Sequence, residues 1–66
     1  MTTYKYMLLD HRNHLIEVKR CEFEADDIAC EYSRTLYGQL HPSSIEVWQG
    51  PRLICSVSAD GLRLAA

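Results

Sequence analysis

Residues 26–38 read DDIACEYSRTLYG, and in this segment apolar side chains return at helical spacing. Ile28, Ala29, Tyr32 and Leu36 form one apolar stripe along such a helix. The spacing predicts that the helix packs on the rest of the molecule through Ile28, Tyr32 and Leu36.

Both ends of this helix carry a local signal. Asp26 or Asp27 is predicted to be the N-cap, because a short carboxylate accepts hydrogen bonds from the first free backbone amides. Gly38 is predicted to end the helix, since glycine takes the left-handed cap conformation without steric cost. A helix of roughly 11 residues is marginal alone, so it must pack on another element.

Strand patterns lie on both sides of the helix. Aromatic and apolar residues dominate before it, and a polar turn at residues 11–14 separates two strands there. In the second strand the apolar residues change from even to odd positions near Arg20, which predicts a bulge or a strand end. A Gly-Pro pair after the helix predicts a second hairpin. The predicted strands are residues 3–10, a strand from Leu15 onward, residues 45–49 and residues 52–59.

This order of elements predicts an α+β fold of the type ββαββ. Its simplest architecture is a four-stranded, mainly antiparallel sheet with one helix packed on one face. We expect a single domain over residues 1–61 and a C-terminal tail over residues 62–66. The second face of the sheet has no helix to cover it.

The hairpin between the third and fourth strands has two candidate registers. A two-residue loop pairs Trp48 with Leu53 and Val47 with Ile54, whereas a three-residue loop pairs Val47 with Leu53. The sequence therefore leaves open which face of the sheet carries Trp48.

Composition excludes several classes of protein. The chain has nine acidic against seven basic residues and a net charge of −2, which is unusual for a nucleic-acid binder. No apolar run approaches the roughly 18 residues of a membrane helix, so we expect no membrane partner and a cytoplasmic location. Three cysteines cannot pair completely, so we expect reduced thiols and no disulfide.

Four patterns could carry chemistry, and each has a simpler interpretation. His11 and His14 could share a metal ion, but no third ligand is near them in sequence, and solvated turn histidines are the simpler interpretation. The cysteines and the acidic run of residues 22–31 are interpreted as core residues and as a solvated strand end. Tyr4 and Tyr6 could stack nucleobases, although packing under the helix is simpler. We expect no catalytic residue, no metal and no cofactor.

The chain resembles a family of very small bacterial domains of unknown function that have a ββαββ pattern and a Trp-x-Gly hairpin. The resemblance covers most of residues 4–57. It implies a fold but no activity. This chain departs from the family pattern at Asn13 and at Pro51, where a glycine and a polar residue are commoner. The residues that carry the resemblance are Tyr4, Tyr6, Leu9-Asp10, residues 23–27, residues 45–50 and Arg52-Leu53.

The uncovered sheet face predicts a non-enzymatic interaction module that forms a homodimer. A chain this small gains stability from a shared core, and an apolar face usually marks an interface. The predicted contact residues are Met7, Leu9, Trp48 and Leu53, with Trp48 as the anchor. The alternative is an antitoxin-like or regulatory protein with an unknown protein partner. Metal binding or nucleic-acid binding is the weakest of the functional hypotheses.

Overall fold

The protein is an α+β domain in which one helix packs on an antiparallel sheet. The structure, a computed structural model, describes residues 1–65. Over these residues the sheet has five strands in the order β2-β1-β3-β4-β5, and every neighbouring pair is antiparallel. The predicted class, the single helix and the antiparallel sheet are confirmed. The elements are β1 (Thr2–Leu9), β2 (Leu15–Phe23), α1 (Asp26–Leu40), β3 (Ser44–Gln49), β4 (Arg52–Ser58) and β5 (Gly61–Leu64).

The predicted number of four strands is wrong, because most of the supposed tail forms β5. Gly61 adopts φ +100°, which lets the chain turn back directly after β4. Leu62 and Leu64 then alternate with Arg63, the period-two pattern of a strand with one apolar side. β5 pairs with β4 from Ser58 to Cys55.

Helix α1 differs from the prediction at both ends. Its N-cap is Ala25, which makes no side-chain cap hydrogen bond, so the predicted aspartate cap is wrong. Asp26 and Asp27 lie in the first turn instead, where negative charge complements the helix dipole. The helix passes through Gly38 and ends at Leu40, because Pro42 has no amide hydrogen to extend it. His41 is the left-handed C-cap, and its N–H donates to the carbonyl of Tyr37.

The helix buries a different stripe from the predicted one. Leu36 is 3% exposed, as predicted, and Tyr32 packs partly buried against the core. Ile28 is 45% exposed, so its predicted place in the packed face is wrong. The buried face of the helix is shifted by about one residue relative to the prediction. Small side chains therefore face the sheet, and the helix can approach it closely. Its buried residues are Ala29, Cys30, Ser33 and Leu36.

The core lies between α1 and the sheet, mainly over β1, β3 and β4. Tyr6 is fully buried, and its hydroxyl donates to the carbonyl of Ala29 over 2.8 Å. Its ring meets Tyr32 edge-on at 5.5 Å, and Phe23 of β2 packs against both. At the two edges of the sheet, Cys21 and Phe23 of β2 and Leu62 of β5 pack partly buried against this core. The other buried apolar residues of the core cluster are Tyr4, Leu8, Ala29, Cys30, Leu36, Ile45, Val47, Ile54, Cys55 and Val57.

The second hairpin has a two-residue loop, one of the two candidates left open by the sequence, and then a register shift. Gly50 adopts φ +60°, and Trp48 pairs with Leu53. Val47 pairs with Cys55, however, because Ile54 is an extra residue at a β-bulge. The bulge turns Cys55 toward the helix and leaves Trp48 and Leu53 on the opposite face.

The first hairpin carries a bulge as well, but not where the sequence predicts it. Asn13 has φ 66° in the turn, as expected of asparagine. Leu8 pairs with Glu17 and Leu9 with Leu15, so the extra residue is Ile16 and not one near Arg20. Pairing is regular from Glu17 to Phe23. The apolar residues change from even to odd positions along β2 because α1 covers only the Phe23 end of this strand.

Candidate functional site

The open face of the sheet, on the side away from α1, is the first candidate site. Tyr4, Tyr6 and Leu8 lie under the helix, so the alternate positions of β1 point away from it. Cross-strand pairing extends this assignment to the other strands. Two neighbouring rows of side chains result, and both cross several strands.

We call the first of these the cation row. It consists of Arg20, Lys5, Trp48 and Leu53, which lie directly opposite one another across β2, β1, β3 and β4. A recess of about 270 Å3 is lined by the Arg20, Lys5 and Trp48 part of this row and by Thr3 and Gly50. Within residues 1–65, neither Lys5 nor Arg20 has a carboxylate within ion-pair distance. Two like charges on directly opposed positions destabilise a sheet.

The second row, which we call the glutamate row, lies two residues further along each strand. It places Val18, Met7 and Glu46 side by side and continues into β4 and β5. The indole Nε1 of Trp48 donates to Oε1 of Glu46 over 3.0 Å, which joins the two rows. The open face therefore combines partly exposed apolar side chains with charges of both signs.

Three of the four predicted contact residues lie together and partly exposed. Trp48 and Leu53 are opposite each other, and Met7 is in the next row. Leu9 is on the same face but only 6% exposed, and it lies outside the core cluster. Leu9 therefore offers little area to a partner.

A groove between α1 and the β4–β5 side of the sheet is the second candidate site. Its volume is about 610 Å3, in the range of ligand pockets. Its floor is apolar and is formed by Ile54, Leu62 and Leu64. This groove is not found by the sequence analysis because a tail is predicted over residues 62–66. The alternation of leucines around Arg63 was the available signal.

Carboxylates from the first turns of α1 line the groove opposite this floor. Asp26, Asp27 and Glu31 are all lining residues. Asp26 accepts a hydrogen bond from the Tyr4 hydroxyl at 2.5 Å and one from Arg52 at 3.4 Å. These donors, first the Tyr4 hydroxyl and then Arg52, lower the pKa of Asp26. The same bond to Asp26 raises the pKa of Tyr4.

The histidines predicted as a weak metal pair lie in the first turn. His14 is exposed, and its Nδ1 lies 4.0 Å from Oδ2 of Asp10. Asp10 also accepts backbone N–H bonds from Arg12 and His14, which organise the turn and lower the pKa of its carboxyl. Over residues 1–65, no three His, Cys, Asp or Glu side chains come together as a metal site.

The cysteines and tyrosines are placed as packing residues. All three cysteines are free; Cys30 and Cys55 are buried and Cys21 is partly exposed. Burial, with a smaller contribution from Cys30, raises the pKa of Cys55 to about 12, so its thiol stays protonated. Tyr4 and Tyr6 are 1% and 0% exposed, so they cannot stack on nucleobases.

Comparison with protein-family models, with curated proteins and with solved structures gave no match to this chain. The described part of the chain has no helix long and apolar enough to cross a bilayer.

Proposed function

We propose that this chain is a non-enzymatic interaction module that pairs with a second copy of itself through the open face. The observation that carries the proposal is the pair Lys5 and Arg20, opposed like charges without a carboxylate partner among the described residues. A counter-charge supplied by another molecule relieves that repulsion.

Glu46 can supply this counter-charge from a second copy. It lies in the glutamate row, next to the cation row of its own chain. In the proposed dimer the two open faces meet, and a two-fold axis lies between them. The axis runs perpendicular to the strands and midway between the two rows. This rotation places the cation row of each copy over the glutamate row of the other. Lys5 of each copy then lies beside Glu46 of the other. The same pairing buries Trp48 and Met7, and aromatic anchors contribute most to such contacts.

The size of the chain favours the same arrangement. A domain of 66 residues buries only about 60% of its unfolded surface, so a shared second core adds stability that one chain lacks.

A charge swap tests this pairing. Lys5→Glu and Glu46→Lys are made singly and together, and the dissociation constant of the dimer is measured by sedimentation equilibrium. Each single change sets like charges across the interface and should weaken the dimer about tenfold or more. The double variant restores opposite charges and should recover most of the affinity.

Glu24→Lys is the matched control for Glu46→Lys, because Glu24 is exposed outside the sheet and both changes replace a carboxylate with an ammonium group. A double variant that dimerises no better than either single variant would contradict the proposed pairing. Thermal unfolding of each variant separates lost association from lost folding.

A further inference from the structure

We propose that the groove between α1 and β5 binds an extended basic segment of another protein, which adds to the free edge of β5 as a sixth strand. This site is on the helix side of the sheet and does not depend on the open face. Three features of the groove lead to this occupant: an unpaired strand edge, an apolar floor beside that edge, and a carboxylate rim.

The edge of β5 is able to accept a strand. β5 is the last strand in the sheet order, so within residues 1–65 its outer side has no strand neighbour. The N–H of Ala65 donates inward to the carbonyl of Ile54 over 3.0 Å. Inward and outward groups alternate along an antiparallel strand, so the N–H and C=O of Leu62 and Leu64 point outward. A peptide can pair with these groups in a regular ladder.

The floor is formed by the side chains of the same two leucines. Leu62 and Leu64 pair with Val57 and Cys55, which lie under the helix, so both leucines point to the helix side. Leu64 is 70% exposed and Leu62 is partly exposed, next to buried Ile54. An added strand that places alternate apolar side chains on this side would cover them.

The rim selects a basic segment. The three lining carboxylates outnumber the one lining guanidinium, Arg52, which is already 3.4 Å from Asp26. Glu31 is 3.6 Å from Arg34, but both side chains are mostly exposed, and such surface pairs contribute little. Asp27 and Glu31 therefore favour lysine or arginine side chains that reach back from the added strand.

The same charges disfavour a second copy of this chain as the occupant. Two β5 strands joined by a two-fold axis would put both helices on one side of a continuous sheet. The carboxylate rims would then approach each other, and like charges across an interface oppose association.

Fluorescence anisotropy with three labelled peptides tests the proposal on the whole chain. In the first peptide lysine alternates with valine; in the second glutamate alternates with valine; the third is the lysine peptide with alternate backbone nitrogens methylated. Only the first should bind, because the second is repelled by the rim and the third cannot form the ladder. On binding, the amide hydrogens of Leu62 and Leu64 should exchange more slowly in NMR spectra.

A variant in which amides replace two carboxylates of the rim tests the charge preference of the groove. Asp27→Asn with Glu31→Gln keeps the size of both side chains and should weaken the lysine peptide about tenfold. Glu22→Gln with Glu24→Gln changes the net charge equally at exposed positions away from the groove and should leave binding unchanged. Equal binding of the lysine and glutamate peptides, unaffected binding after methylation, or unchanged exchange at Leu62 and Leu64 would each overturn the proposal.

Discussion

The Tyr4 hydroxyl of β1 lies 2.5 Å from Oδ1 of Asp26 and donates to it, joining the sheet to the first turn of α1. Arg52, at the start of β4, reaches Oδ2 of the same carboxylate at 3.4 Å. Asp26 therefore connects β1, α1 and β4 at one end of the domain. Asp26 is the first residue of α1, after the N-cap Ala25, and its side chain is directed to Tyr4.

Replacement Tyr4→Phe should lower the free energy of unfolding. The change removes the donor from Asp26 while keeping the buried ring, so it isolates the hydrogen bond. Thermal and urea unfolding measure the effect. Tyr37→Phe is the control, because the Tyr37 hydroxyl makes no hydrogen bond within residues 1–65 and its removal should change stability less. Equal losses in the two variants would show that the Tyr4–Asp26 bond does not stabilise the fold.

Stability should fall in acid, partly through Asp26. The Tyr4 hydroxyl and then Arg52 lower its pKa below the ordinary value of 3.8, so the folded state favours the ionised carboxylate. That contribution is present above the unfolded pKa and is lost as pH falls through the folded pKa. Asp10 acts with the same sign, chiefly through the backbone N–H of His14. Urea unfolding between about pH 2 and 6 should show a smaller acid-side slope for Asp26→Asn than for wild type. Identical slopes would mean that Asp26 has the same pKa in both states.

The thiols should differ in reactivity. Cys55 is fully buried, and burial raises its pKa to about 12, so it forms little thiolate near neutral pH. Cys21 is partly exposed on β2. Iodoacetamide followed by mass spectrometry should modify Cys21 first, and Cys55 only at the rate of unfolding. Rapid labelling of Cys55 in the folded protein would contradict the buried position of this thiol.

Leu36 should matter more for stability than Ile28. Leu36 is 3% exposed in the core cluster, and Leu36→Ala should cost about 2–5 kcal/mol through lost burial and the cavity left behind. Ile28 is 45% exposed, and Ile28→Ala should cost less than about 0.5 kcal/mol. Chemical denaturation of both variants makes the comparison. Similar losses would mean that the helix packs through the stripe predicted from spacing.

Sequence patterns predicted the elements up to β4 because local spacing and turn residues specify them. Asn13 and Gly50 are each in the left-handed region that their turns need. The rotation of α1 was not predictable in this way. Small residues such as Ala29 and Ser33 face the sheet because they let the helix approach it, and that choice depends on the opposing strands.

The candidate sites depended on long-range pairing. The face of the sheet on which Trp48 lies follows from the length of the hairpin loop. The face on which Cys55 lies depends on the bulge at Ile54, and no turn residue in the sequence indicates that bulge. Lys5 and Arg20 become neighbours only through the pairing of β1 with β2. Leu62 and Leu64 become part of a candidate site only because β5 pairs with β4 and forms one side of the groove.

Sedimentation equilibrium of the wild-type chain and of Met7→Lys tests the central claim most directly. The wild type should have about twice the chain mass of 7.6 kDa at micromolar concentration, because its open face is shared. In the proposed pairing Met7 lies opposite the partner's Lys5, so Met7→Lys sets like charges across the interface and should return the mass to that of one chain. Ile28→Lys, an equal change on the exposed side of α1, should leave the dimer intact. A wild-type mass of 7.6 kDa, or a dimer unaffected by Met7→Lys, would contradict self-association through the open face.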